Sequence, residues 1–198
     1  MRGLSSFLGL AALSCALQAA AVSIEVRDEG GRPLPGAVVF LESAQARRQV
    51  RPLAQAEMGQ AGKQFVPQVL VVPVGTAVDF PNRDTVRHHV YSFSATKKFE
   101  LKLYIGAPAN PVVFDRSGIA VLGCNIHDQM VGWIVVVETP YYAISDAQGR
   151  VVIDAPLGNY RLRSWHPGLP VGVAAQDQAL ELGNPAQSVS VRLPGVRP

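Results

Sequence analysis

The chain has 198 residues, a formal net charge of +3 and two cysteines. That charge is too small for a nucleic-acid-binding surface, which is strongly basic, and the length suits one domain or two small ones. After residue 21 no apolar run approaches the roughly 18 residues that a membrane-spanning helix needs.

At the N-terminus, Arg2 precedes an apolar stretch that ends in Ala19-Ala20-Ala21. One positive charge, a short apolar run and closing small residues predict an export signal cut after residue 21, and a periplasmic location. Cys15 lies inside that run beside Leu13 rather than behind small residues, which speaks against a lipid anchor. Processing would leave Cys124 as the one cysteine, so no internal disulfide can form. A lone thiol in an oxidising compartment has to be buried, reactive or metal-bound.

Further along, helix signals are almost absent; "LESAQARRQVRPLAQAEMG" is the one stretch of helical or irregular character. Apolar residues alternate instead. Val22, Ile24 and Val26 share a face, as do Phe99, Leu101 and Leu103, then Trp133, Val135 and Val137, then Tyr160 and Leu162, and finally Val189, Val191 and Leu193. Period two in short segments, punctuated by turns at Gly30-Gly31, Val74-Gly75, Asp146 to Gly149 and Gly158-Asn159, predicts an all-β chain of antiparallel sandwiches.

The chemistry concentrates in "VLGCNIHDQM", where Cys124, His127 and Met130 follow one another at intervals of three between two apolar runs. Upstream, "FPNRDTVRHHV" offers His88 and His89, with Asn82 and Asp84 in a polar loop before them. Thiolate and thioether are soft ligands and imidazole is borderline, so two histidines, one cysteine and a weak axial methionine suit an electron-transfer copper site. Three other chemistries use some of these residues. A thiol hydrolase would pair Cys124 with His127, but needs an orienting third group and an oxyanion site. Zinc takes Cys and His but rarely Met. A copper carrier would favour more methionines than Met58 and Met130. The plain structural alternative is a sandwich in which Cys124 is a small buried hydrophobe.

Two modules resemble known families. Residues 22–46 and 139–198 carry Asp28, Gly31, Pro33-Leu34, Gly36-Ala37 and Val39, then "SDAQGR", then Gly158, Tyr160 and Leu162. Together they resemble the carboxypeptidase-regulatory-like domain, a small Ig-like sandwich, here discontinuous. Residues 47–138, inserted between its halves, resemble the cupredoxins, Greek-key β-sandwiches of the amicyanin and plastocyanin kind. That resemblance rests on Gly75, Val78, Phe80, Asn82 and His88-His89-Val90, on Val112, Phe114, Asp115 and Gly118 before the cysteine, and on the Cys124, His127, Met130 loop. The two modules in combination resemble bacterial sequences labelled methylamine utilization protein.

The cupredoxin resemblance implies one mononuclear type 1 copper held by His88, Cys124, His127 and Met130, with Asn82, His89 and Asn125 supporting it. It also implies single-electron traffic with a redox protein, such as a periplasmic dehydrogenase or cytochrome, and no enzymatic activity. Spacing from Asn82 selects His88 over His89 as the ligand. His89 falls where relatives carry an asparagine that braces the cysteine loop, and a ring N–H could do the same. Ile126 stands where relatives often have proline, and Asp128 adds a carboxylate beside His127.

Overall fold

The structure, a computed structural model, describes residues 19–197. Residues 1–18, most of the expected export signal, lie outside the described residues. Ala19–Ala21 open the first strand, Ala19–Arg27, where they pair with Pro156, Ala155 and Asp154. The described chain is almost entirely β, with one short helix, Ala44–Gln49, in the stretch of irregular character. Ser43 caps that helix, its hydroxyl accepting from the Ala46 N–H at 3.0 Å, which satisfies one of the donors that a helix start leaves unpaired.

The first sandwich draws strands from both ends of the chain. In one sheet Ala19–Arg27 lies between Arg150–Pro156, antiparallel, and Gln187–Arg192, parallel. In the other the order is Tyr142–Ile144, Val38–Glu42, Gly158–Trp165, Gln176–Leu182. Alternation does the sorting. Val22, Ile24 and Val26 are fully buried, together with Leu41, Leu162 and Leu193, while Ser23, Glu25 and Arg27 face outward. Each such side chain contributes about 1.5–3 kcal/mol by leaving water. The side chain of Thr139 ties the return of the chain to this sandwich by donating to the Leu41 carbonyl at 2.6 Å. Tyr141 stacks edge-on against Tyr160 nearby.

Between these halves, five strands form a sheet in the order Val69–Pro73, Val131–Val137, Gly118–Cys124, His88–Phe93, Lys98–Tyr104. Two small pairs, Thr76–Val78 with Val112–Phe114 and Gly59–Ala61 with Gln64–Val66, complete this second unit. One face of the five-stranded sheet covers a core of Met58, Phe65, Phe80, Val90, Phe114, Leu122 and Ile134. The other face presents Val71, Val135 and Val137 to the core of the first sandwich, with Trp133 packed against it. Trp133 and Trp165 meet there with ring centroids 6.3 Å apart. The run "WIVVV" is therefore apolar at every position because its sheet is covered on both faces, a pattern that a half-exposed strand does not show.

Candidate metal centre

Strand parity places the site. Along Gly118–Cys124, Ala120, Leu122 and Cys124 point into the second core, and Cys124 is the last inward position before the chain turns. Two tight turns follow, His127 N–H to Cys124 carbonyl at 3.4 Å and Met130 N–H to His127 carbonyl at 2.9 Å. They return Met130 to the interior, 1% exposed, at the start of Val131–Val137. On the neighbouring strand His88, Val90 and Ser92 are buried, whereas His89, Tyr91 and Phe93 lie on the other face.

Three donors converge. Nδ1 of His88 and Nδ1 of His127 each lie 3.6 Å from the Cys124 sulfur, and the three donor atoms all fall within 4.8 Å of one another. The two imidazole centroids are 4.9 Å apart. His88 is fully buried and Cys124 nearly so, while His127 is partly exposed beside Ile126, which is 48% exposed.

Polar contacts fix His88 from behind. Its Nε2 bonds Asp84 Oδ2 at 2.8 Å. The Asp84 carboxylate also accepts the backbone N–H groups of Gly62 at 2.6 Å and Lys63 at 2.9 Å. Those bonds, the Lys63 N–H first and then the His88 ring, hold the Asp84 carboxyl below the usual carboxylate range. Asn82 secures the intervening loop: its side-chain amide donates to the carbonyls of Val86 and Tyr104, each at 2.8 Å, and its oxygen accepts from the Asp84 N–H. Tyr104, paired with His88 across the strands, donates its hydroxyl to the Phe80 carbonyl at 2.7 Å. Burial pushes that phenol up to about 12.

The remaining supporting residues sit differently from the sequence expectation. The His89 ring does not reach the cysteine loop: it bonds Glu100 at 2.8 Å on the outer face of the sheet and stands edge-on to Tyr91. The cysteine loop is braced instead by the His89 backbone, whose carbonyl accepts from the Asn125 N–H at 3.1 Å. The Asn125 side chain is exposed, as is Asp128. The contribution of Asp84 was not apparent from composition alone, where it reads as a loop residue. The four-residue step from Asp84 to His88 is the signal that could have found it.

The donor set decides which ions fit. A thiol, two imidazoles and a buried methionine at the end of the same loop are poor ligands for calcium or magnesium, which take oxygen. No carboxylate belongs to the cluster. Soft and borderline ions suit it, copper above all.

Fold and cluster together define an all-β sandwich protein with a His–Cys–His centre in which His88 and Cys124 are buried. Neither a protein-family profile nor a curated protein matches the chain. Among solved structures the chain is similar to a purple cupredoxin from Nitrosopumilus maritimus, at 25% identity over 42% of this chain and 100% of that one, with a TM-score of 0.38. It is similar to the reduced Cu(I) form of an amicyanin variant, at 23% identity over 50% of this chain and 98% of that one, TM-score 0.38. A copper-containing nitrite reductase from Thermus scotoductus SA-01 is similar at 23% identity over 57% of this chain and 28% of that one, TM-score 0.40.

Proposed function

We propose that this chain is an exported, periplasmic type 1 copper protein that carries single electrons between redox partners and catalyses no bond chemistry of its own. The observation that carries this reading is the convergence of Nδ1 of His88, Nδ1 of His127 and Sγ of Cys124 within 4.8 Å, in a pocket where His88 and Cys124 are buried. Copper there would be held by His88, Cys124 and His127, with Met130 as a fourth, weaker ligand, and would supply a one-electron Cu(II)/Cu(I) couple.

The residues of the chain supply the rest. Cys124 and His88 are anchored in adjacent, paired strands, so two of the three strong ligands move only with the sheet. His127 and Met130 sit in a loop whose ends are both tied into that sheet. Such a frame holds nearly one arrangement of donors in both oxidation states, which keeps the reorganisation that accompanies electron transfer small. The ligand ring nearest to solvent is that of His127, bordered by exposed Ile126, and this edge is the electron port. A redox protein such as a periplasmic dehydrogenase or cytochrome would dock against it. The first sandwich, read as a discontinuous Ig-like domain of residues 22–46 and 139–198, orients the copper domain or binds a partner.

Loading the full chain with Cu(II) is the direct test. The expected result is an intense visible thiolate-to-copper absorption and a narrow parallel hyperfine splitting in the EPR spectrum. A colourless, redox-silent adduct would overturn the electron-transfer reading.

Three variants sharpen it. His88→Ala should lower copper affinity by roughly 100-fold or more, beyond what loss of a supporting residue costs, and erase the absorption. His89→Ala should leave both unchanged, because that ring lies on the outer face against Glu100. The reverse pattern would reassign the ligand. Met130→Leu should keep the colour and raise the potential by about 59 mV, a tenfold shift in the oxidised-to-reduced ratio for one electron, since a lost thioether donor favours Cu(I).

A further inference from the structure

The hairpin formed by Gly59–Ala61 and Gln64–Val66 supplies none of the three converging donors, yet the structure ties it to the centre through one carboxylate. Its two-residue turn is Gly62-Lys63, with φ of 61° and 59°. Successive residues at positive φ are the signature of the hairpin turn that matches strand twist, and here they aim two neighbouring N–H groups at one point. That point is occupied by Asp84, which accepts both. Concave pairs of backbone N–H groups of this kind bind anions. Backbone bonds lace the hairpin to the same loop: Gln60 N–H to the Pro81 carbonyl at 2.9 Å, and Arg83 N–H to the Gln60 carbonyl at 2.8 Å.

From this geometry, and resting on the copper reading above, we propose that Asp84 is the positioning residue of the metal centre and that the Gly62-Lys63 turn is the clamp that holds it. The chemistry is that of hydrogen-bond capacity. A carboxylate only accepts, and a neutral imidazole has one N–H. Asp84 beside Nε2 therefore places the ring proton on Nε2 and leaves the Nδ1 lone pair, the one 3.6 Å from Cys124, free for a metal. Such a carboxylate–histidine pair also fixes ring orientation and makes the ligand more basic. Its negative charge favours the more highly charged oxidation state, so Asp84 lowers the reduction potential. His127 has no counterpart: among the described residues no group bonds its Nε2.

Asp84→Asn is the informative change because it nearly preserves shape. Three N–H donors, from Gly62, Lys63 and His88, converge on the two oxygens of Asp84. An amide offers one acceptor oxygen and turns an NH2 group toward a donor. We expect the copper-loaded Asp84→Asn chain to show a tenfold or larger shift of the oxidised-to-reduced ratio toward reduced copper at fixed potential, equivalent to 59 mV. Asp84→Glu should recover part of it. Gly62→Val, where a β-branched residue opposes positive φ but no atom lies within 4 Å of the added Cβ, should shift the ratio the same way by a smaller factor without altering any ligand.

Nitrogen NMR of His88 in the metal-free full chain judges the positioning role without copper: the proton should reside on Nε2 in the wild type, and the Nδ1–H form should become populated in Asp84→Asn. A wild-type ring protonated on Nδ1, or a ratio unchanged in both Asp84→Asn and Gly62→Val, would overturn the proposal. Failure to bind copper would overturn the reading beneath it, while the tautomer measurement would still decide the role of Asp84. Should Asp84→Asn fail to fold, the wild-type tautomer and the Gly62→Val potential decide it.

Discussion

Cys124→Ser should abolish the visible absorption of the copper-loaded chain altogether while leaving the metal-free fold nearly intact. The absorption of a type 1 site arises from charge transfer out of a thiolate, and an alcohol oxygen is a hard, neutral donor that cannot supply it. Copper affinity should fall with the colour, because the thiolate is the one strong anionic ligand in the cluster. The fold should tolerate the change. Serine is smaller than cysteine and brings no clash, and a small inward movement of the two imidazoles, whose Nδ1 atoms stand 3.6 Å from the sulfur, brings an acceptor within hydrogen-bond range of its hydroxyl. A satisfied buried hydroxyl costs little, about 1 kcal/mol or less. Absorption and EPR spectra of the loaded variant, set beside a thermal melt of the metal-free one, check both halves. A retained band would exclude Cys124 as a ligand. A collapsed fold would mean that the thiol is chiefly a packing group.

Gly149→Ala should destabilise the chain by about 2–5 kcal/mol, the combined cost of left-handed backbone in a non-glycine residue and of overpacking. Gly149 has φ of 71°, and a Cβ there would stand 2.5 Å from the Val26 carbonyl oxygen and 2.8 Å from the Leu34 nitrogen. Both neighbours are backbone and cannot swing away. They belong to a three-way junction in which the Val26 N–H bonds the Gly149 carbonyl at 2.7 Å and the Leu34 N–H bonds the Val26 carbonyl at 2.9 Å. Gly183→Ala, with nothing within 4 Å of the added carbon and no positive φ, should change stability by less than about 0.5 kcal/mol. Chemical denaturation of the two variants makes the comparison. A cost below about 1 kcal/mol at Gly149 would mean that residues near 26 and 149 do not meet, and with that the sandwich built from both ends of the chain would be wrong.

Much of this was legible in the primary sequence, and for a common reason. Alternation in "VSIEV" and "NYRLRS" reflects the two-residue repeat of extended backbone, so it named strands and their inward faces, and Val22, Ile24, Val26 and Leu162 are buried accordingly. The same parity runs through "HHVYSF" and separates His88 from His89: the first shares the buried face of Val90 and Ser92, the second the outer face of Tyr91 and Phe93. Spacing within "CNIHDQM" likewise marked donors that one short loop can gather.

Less could be seen where partners are distant. That the His89 ring would turn to Glu100 depended on which strand lies alongside. That Asp84 would be gripped by Gly62 and Lys63, 22 and 21 residues away, depended on where the small hairpin packs. The all-apolar run Val135–Val137 could be read as a strand but not assigned its two neighbours, the second core on one side and the first sandwich on the other.

The division follows from the range of the forces. Backbone sterics and side-chain periodicity act between residues a few positions apart, so chain order alone yields strands, faces and the order of the candidate donors. Pairing of strands and satisfaction of buried polar groups depend on contacts between residues tens of positions apart, and these exist only once the sheets have closed. The Nδ1 atoms of His88 and His127 and the Cys124 sulfur come within 4.8 Å of one another by that closure, and the same closure brings in the hairpin turn that grips Asp84, the residue bonded to Nε2 of His88.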